Sequence, residues 1–130
     1  MTRNRPRPGG RSVLAGAISQ LHEERESLIT RISQLTSDMA ALIEASRDSN
    51  ADDEHDPEGQ TIAYERSQLS AVSTQMRDHL RKVDAALERV SAGTYGICEV
   101  CRRPIDVARM EARPTALACV HHAMATRSTR

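Results

Sequence analysis

Apolar residues recur at alternating steps of four and three along the N-terminal half of the chain. The series is Leu14, Ile18, Leu21, Leu28, Ile32, Leu35, Met39 and Leu42, and only Arg25 interrupts it. A seven-residue repeat of this kind keeps one apolar stripe of a helix turned toward a partner helix. The pattern therefore predicts a coiled-coil helix over residues 13 to 47.

A second apolar series follows in the next forty or so residues and predicts a second helix. Its members are Ile62, Leu69, Val72, Met76, Leu80, Val83, Leu87 and Val90. Asp56 can cap the first amides, Pro57 suits the first helical position, and Gly93 is placed to end the helix. Two helices of similar length joined by a short segment predict an antiparallel coiled-coil hairpin over residues 13 to 92. A coiled coil between chains, as a dimer or tetramer, is the alternative.

Composition supports an all-α protein rather than a globular α/β domain. The chain of 130 residues is 38% hydrophobic, with two tyrosines and no phenylalanine or tryptophan, so it lacks the bulky side chains that usually fill a globular core. No run of 18 apolar residues occurs, and no secretory hydrophobic segment follows the basic N-terminus. We therefore expect a cytoplasmic protein that does not enter a membrane.

Charge is zoned along the chain although the formal net charge is zero. Residues 1 to 11 contain four arginines and no acid, whereas residues 48 to 58 contain six acids and no lysine or arginine. We assign residues 1 to 12 to a disordered basic arm, residues 48 to 58 to an acidic hairpin tip, and residues 126 to 130 to a flexible tail. Neither terminal segment has the interleaved aromatic residues of a nucleic-acid stacking platform.

Cysteine and histidine residues at metal-ligand spacing mark the C-terminal third. Cys98 and Cys101 form one pair, and Cys119 with His122 repeats the same spacing. Two turns that each present two such ligands can close a tetrahedron around zinc. We predict one structural Zn²⁺ bound by these four residues in a module over residues 93 to 125. His121 is the alternative fourth ligand.

Two enzymatic interpretations of the cysteines are less favoured. A redox dithiol is expected near a strand–helix–strand pattern, and no alternating apolar strand precedes Cys98. Catalytic zinc keeps an open position for water, and zinc deaminases add a glutamate beside a ligand histidine, a pair that is missing here. We therefore predict that the protein is not an enzyme.

The C-terminal motifs resemble those of a known family. The segment from Gly93 to Cys101 reads GTYGICEVC, Pro104-Ile105 follows, and Met110 to Ala116 reads MEARPTA before Cys119. This series is similar to the signature of the DksA/TraR zinc-finger family. The resemblance implies a non-catalytic regulator that binds the RNA polymerase core enzyme directly, without sequence-specific DNA recognition. It also implies that the hairpin tip enters the polymerase secondary channel toward the catalytic magnesium. We expect a monomer.

The chain departs from the family pattern at two places. His122 stands where the family usually has a fourth cysteine, and three thiolates with one imidazole remain an accepted zinc shell. At the tip, Asp53 and Asp56 correspond to the family's two aspartates, but Glu58 replaces the expected alanine. These three acids are the predicted partner-binding residues.

Two further expectations concern the module and the choice of function. Arginines held in fixed positions by the zinc module are expected to face an acidic polymerase surface, namely Arg102, Arg103, Arg109 and Arg113. The alternative function is that of a zinc-stabilised coiled-coil adaptor or homodimer that binds another protein and has no effect on transcription.

Overall fold

The structure of the protein, a computed structural model, describes residues 8–49 and 57–123, and most of these residues are helical. Two long helices, α1 (Pro8–Ser49) and α2 (Pro57–Ala92), are followed by a short helix α3 (Val107–Ala112). Within these ranges the only extended pairing is an isolated antiparallel bridge between Ile97 and Pro104. The predicted all-α fold class is confirmed.

Helix α1 is longer than the sequence pattern indicated. It begins at Pro8, inside the segment assigned to the basic arm, rather than at residue 13. Proline suits a first helical turn because its missing N–H would have no intrahelical partner there. The apolar repeat begins only at Leu14, so periodicity could not locate this earlier start.

Helix α2 begins and ends where its signals predicted. It starts at Pro57 and ends at Ala92, and Gly93 follows with a φ of 78°. The Gly93 amide donates to the carbonyl of Val90, and the Thr94 amide donates to the carbonyl of Arg89, at 3.2 and 3.0 Å. This is a Schellman motif, in which a left-handed glycine lets the chain turn back and satisfy the last helical carbonyls.

The two long helices are antiparallel, because early α1 packs with late α2. The first compact unit contains residues up to Arg25 and from Lys82 onward, and the second contains residues from Glu26 to Arg81. Each unit therefore holds a segment of both helices. Among the described residues, all buried apolar side chains except that of Leu28 belong to the first unit.

In the first unit, seam residues of both helices are fully buried. Leu21 and Val83 are 0% exposed, and the small side chains of Ala17 and Ala86 are buried beside them. Arg25 interrupts the seam and donates from Nε to the Asp84 carboxylate across the hairpin at 2.7 Å. Both side chains of this pair are more than 40% exposed, so we expect it to contribute about 0–1 kcal/mol. A single polar seam residue of this kind mainly specifies register.

In the second unit, the seam is only partly covered. Leu28 is buried, but Ile32, Leu35, Met39 and Leu42 are half-buried, and Val72 is 37% exposed although it belongs to the predicted seam. Two helices cover only one side of each other's apolar stripe, so this degree of exposure is expected for a hairpin with no third layer. Neither long helix, within the described ranges, carries an apolar stretch that could cross a bilayer.

The C-terminal module packs against the first turns of α1 through a glycine. Gly96 has a φ of 81°, and a Cβ at this position would lie 3.1 Å from Cδ1 of Leu14. The Gly96 carbonyl accepts a hydrogen bond from the Ile105 amide at 2.7 Å. Gly96 thus combines a left-handed backbone with a close approach that no larger residue fits without displacement.

A pair of glycine substitutions tests this packing. Gly96→Ala should lower the free energy of unfolding by about 1–2 kcal/mol, because it adds a Cβ in the left-handed region and against Leu14. Gly16→Ala should instead raise stability by about 0.5–1 kcal/mol, because Gly16 lies inside α1 and nothing lies within 4 Å of its Cβ position. Urea denaturation followed by circular dichroism measures both, and equal effects would contradict the close approach.

Candidate metal centre

The first half-site is a tight turn between Ile97 and Pro104. The Cys98 amide donates to the carbonyl of Arg103 at 2.8 Å, and the Arg102 amide donates to the carbonyl of Cys98 at 2.9 Å. Arg102 has a φ of 60°, a left-handed conformation that costs a residue with a side chain about 1–2 kcal/mol. The turn points the two cysteines of the pair at one place.

The second half-site is a turn from Cys119 to His122. It is closed by a hydrogen bond from the His122 amide to the carbonyl of Cys119 at 3.0 Å. The two half-sites are joined directly, because the Glu99 amide donates to the carbonyl of Leu117 at 2.9 Å. The backbone therefore sets the distance between the two ligand pairs.

Helix α3 and the side chain of Arg109 support the second half-site. Arg109 Nε donates to the carbonyl of Ala118 at 3.0 Å, one residue before Cys119. Met110, the next residue of α3, is fully buried. Arg109 is one of the arginines expected to face a partner, and its Nε contacts its own chain. No spacing pattern in the sequence could reveal this role, since a helix of six residues is too short to show periodicity.

Two further contacts hold the module to itself and to α2. The buried Tyr95 hydroxyl donates to the carbonyl of Pro114 at 2.8 Å, and burial raises the pKa of this phenol. The Arg89 guanidinium, near the end of α2, donates to the Glu99 carboxylate at 3.2 Å. Glu99 lies between the two cysteines of the first pair, so this ion pair fixes the turn relative to the helix end.

The structure brings the side chains of Cys98, Cys101, Cys119 and His122 together. Their donor atoms all lie within 4.8 Å of one another. The Cys101 and Cys119 sulfurs are 4.0 Å apart, and His122 Nδ1 lies 3.9 Å from the Cys98 sulfur and 3.1 Å from that of Cys119. His121 is exposed and is not part of the cluster.

These distances fit tetrahedral zinc. Bond lengths of about 2.3 Å to sulfur and about 2.0–2.1 Å to nitrogen place two ligand sulfurs about 3.8 Å apart and a sulfur and nitrogen about 3.5 Å apart. Three of the observed separations, of 3.1, 3.9 and 4.0 Å, bracket these values, and all six lie within 4.8 Å. Four protein donors fill the tetrahedron, which is typical of a structural rather than a catalytic zinc.

The thiol pKa values also favour a cation at this place. Burial tends to raise the pKa of Cys98, but backbone amides, chiefly those of Cys101 and Cys119, donate to its sulfur and lower the pKa to about 6. The Arg103 amide tends to lower the pKa of Cys101, but burial and the neighbouring sulfurs together raise it. Without metal, one of the thiols ionises readily, and its negative charge opposes ionisation of the next thiol. A divalent cation removes this conflict, because it stabilises all the thiolates at once.

The predicted tip residues fall outside what the structure describes. Asp53 and Asp56 lie in residues 50–56, which are not among the described residues. Glu58 lies in the first turn of α2, and the position of its side chain is likewise not described. Their role as partner-binding residues stays a prediction.

Comparison with known proteins gives a match that coincides with this centre. Residues 93–121 match the family model described as the prokaryotic dksA/traR C4-type zinc finger. The C-terminal module of this chain is thus similar to the zinc finger of the DksA/TraR family. The match and the donor cluster together support a structural zinc. The DksA/TraR model is of the C4 type, whereas this chain offers three cysteines and His122.

Two curated relatives align with part of this chain. The uncharacterized protein YteA of Bacillus subtilis is 42% identical over 67 residues, covering 52% of this chain and 28% of YteA. The RNA polymerase-binding transcription factor DksA of Caulobacter vibrioides is 50% identical over 50 residues, covering 35% of each protein. The chain thus spans about a third of the length of the curated relatives that it matches.

A solved structure extends the likeness to most of the chain. Transcription factor DksA2 from Pseudomonas aeruginosa covers 85% of both chains with a TM-score of 0.52 at 23% identity. At this level of identity the likeness concerns the fold alone, which here consists of two long helices and a C-terminal module.

Substitution of the two adjacent histidines tests the ligand set. His122→Ala should weaken zinc binding by more than the roughly 10–100-fold that loss of an outer hydrogen-bond partner produces, because it removes a donor that lies 3.1 Å from the Cys119 sulfur. His121→Ala should leave zinc binding unchanged. Competition with a coloured chelator measures both affinities, and the charge-transfer spectrum of the cobalt-substituted protein reports the sulfur count. The assignment fails if His121→Ala has the larger effect.

Zinc binding should release protons at pH 7. The raised pKa keeps Cys101 protonated in the metal-free protein, whereas a zinc-bound sulfur is a thiolate. Affinity should therefore fall as pH falls, and more steeply below about pH 6, where Cys98 also becomes protonated. Isothermal titration calorimetry in two buffers of different ionisation enthalpy measures the release. A binding enthalpy independent of the buffer would contradict it.

Proposed function

We propose that this protein is a non-catalytic regulator of transcription that binds RNA polymerase core enzyme directly. Cys98, Cys101, Cys119 and His122 hold its structural zinc, which folds the module at the start of α1 and the end of α2. The proposed protein acts in the cytoplasm as a monomer and recognises no DNA sequence.

Two similarities in the same chain, one of sequence and one of fold, give this proposal its main support. The family match covers the zinc module, and the fold likeness to DksA2 covers 85% of the chain, including the long helical pair. A zinc finger alone occurs in proteins of many functions, and so does a helical hairpin. Their combination in this order is what the DksA-type transcription factors share with this chain.

The acidic segment between the helices is the proposed site of action on polymerase. Residues 48 to 58 carry six acids, and carboxylates this close together repel one another unless they are solvated or face cations. Binding in a channel that contains Mg²⁺ would supply such cations. We propose that Asp53, Asp56 and Glu58 face the catalytic magnesium through the secondary channel, with Glu58 altering the effect relative to an alanine.

An adaptor or homodimer is the alternative, and the partly covered seam favours it. Between Glu26 and Arg81 most seam side chains are only half-buried, and Val72 is 37% exposed. A second hairpin packed on this face would bury them. Sedimentation of the zinc-loaded protein distinguishes the two, because the proposed regulator sediments as a monomer at micromolar concentration.

Direct binding to polymerase can be measured without DNA. The zinc-loaded protein should co-purify with core RNA polymerase from the same source, and Cys101→Ser should reduce binding because loss of zinc loosens the module. Loss of binding should accompany loss of zinc in the same preparation. If the zinc-loaded wild type does not bind core enzyme at micromolar concentration, the proposal is wrong.

The tip should govern the effect on transcription rather than stability. Replacing Asp53, Asp56 and Glu58 by alanine should change transcript yield in vitro. The thermal midpoint should fall only by the few degrees that loss of the Asp56 helix cap, typically about 1 kcal/mol, produces. A matched control replaces the exposed Glu23, Glu65 and Glu88 on the helices by alanine, removing the same number of acids outside the tip. Equal effects of the two triple variants on transcription would contradict a special role for the tip.

A further inference from the structure

One turn of the zinc module combines exposed apolar and cationic side chains in a small space. Ile97 is 36% exposed and Val100 is 47% exposed, and Arg102 and Arg103 are exposed beside them. The bridge between Ile97 and Pro104 and the two hydrogen bonds that join Cys98 to Arg102 and Arg103 hold these residues in a single hairpin turn. We call these four residues the knuckle surface.

The backbone at Arg102 is strained, because its left-handed conformation closes the turn that presents Cys98 and Cys101. Its φ of 60° lies in the left-handed region, which glycine adopts without steric cost. Within the described part of the chain, the Arg102 side chain forms no ion pair that offsets this strain. The turn requires this backbone conformation but not an arginine side chain, because glycine would adopt it at lower cost.

The charges around the turn leave the two arginines available. Glu99, the acid between the paired cysteines, is already bound by Arg89. Arg109 differs from these two arginines, because its Nε donates to the carbonyl of Ala118 within the module. Arg102 and Arg103 therefore present two adjacent positive charges on a turn whose position the metal centre fixes.

The apolar neighbours and the lack of an aromatic ring favour protein over nucleic acid as the partner. Phosphate backbones attract arginine but gain nothing from exposed isoleucine and valine, and single strands are bound by stacking on exposed aromatic rings. The module's described tyrosine, Tyr95, is buried. Carboxylates next to aliphatic side chains complement both components of the knuckle surface.

We infer that the knuckle surface binds an acidic, aliphatic segment of a partner protein. The carboxylates of this segment pair with Arg102 and Arg103, and its aliphatic side chains cover Ile97 and Val100. This inference is independent of the proposed function, because it concerns a surface separate from the acidic tip and does not require the partner to be RNA polymerase.

A peptide titration tests the inference on the full, zinc-loaded chain. The probe is a short unstructured peptide of glutamate and leucine, and the matched probe has glutamine in place of glutamate. Amide NMR shifts should map the glutamate peptide to residues 97 to 103, and the glutamine peptide should bind more weakly. Affinity should fall as salt is added, because exposed charges are screened.

Arginine variants separate a binding role from a structural one. Arg102→Gly should weaken binding of the glutamate peptide about threefold, the size expected for one exposed ion pair, and should not lower the unfolding midpoint, because glycine relieves the strain. Arg103→Gln should weaken binding similarly. Arg113→Gln, which removes an exposed arginine outside the turn, should leave the affinity unchanged.

Three results would overturn the inference. Equal affinity for the glutamate and glutamine peptides would show that charge does not contribute to binding. A loss of stability in Arg102→Gly without a loss of affinity would make Arg102 structural. Tighter, Arg102-dependent binding of a single-stranded oligonucleotide would make the surface a nucleic-acid site instead.

Discussion

Three cysteine sulfurs that converge within a few ångströms define the folding problem of the C-terminal module. As thiols they are weak hydrogen-bonding groups, and as thiolates they repel one another, so neither state alone stabilises the turns that carry them. The lowered pKa of Cys98 and the raised pKa of Cys101 express this conflict in two neighbouring residues. A bound zinc ion stabilises all the thiolates together. Ionisation of the sulfurs then contributes to the stability of the module.

The contacts around the centre connect the metal to the ends of the two long helices. Arg89 joins the end of α2 to Glu99 in the first half-site, and Leu14 of α1 packs against Gly96 just before it. The fully buried seam residues Leu21 and Val83 lie in this same unit. The chain has neither phenylalanine nor tryptophan, and the buried core among the described residues consists of small and aliphatic side chains with Tyr95 and Met110. Such a core benefits from a metal cross-link, as is usual for small domains.

Much of this architecture could be predicted because it depends on local rules. The apolar repeat indicated both helices, Pro57 and Gly93 marked the bounds of α2, and the spacing of the cysteines indicated which ones would meet. The predictions were incomplete where the outcome depends on contacts distant in sequence or where no periodic signal exists. Arg109 looked like a surface charge, and only the fold of α3 directs it to Ala118. Val72 has the spacing of a seam residue but is 37% exposed, because two helices alone cover only one side of each apolar stripe. The start of α1 at Pro8 lies outside the apolar repeat that defined the helix.

The two tyrosines occupy opposite environments, and this has a practical consequence. Tyr95 is 9% exposed and bonded through its hydroxyl to Pro114, whereas Tyr64 is 66% exposed. With no tryptophan to mask them, the ultraviolet absorption and emission of the protein come from these two rings. Solvent entry into the module would alter the Tyr95 signal and leave that of Tyr64 nearly constant. The protein therefore carries a built-in optical probe of its C-terminal module, with an internal reference on the same chain.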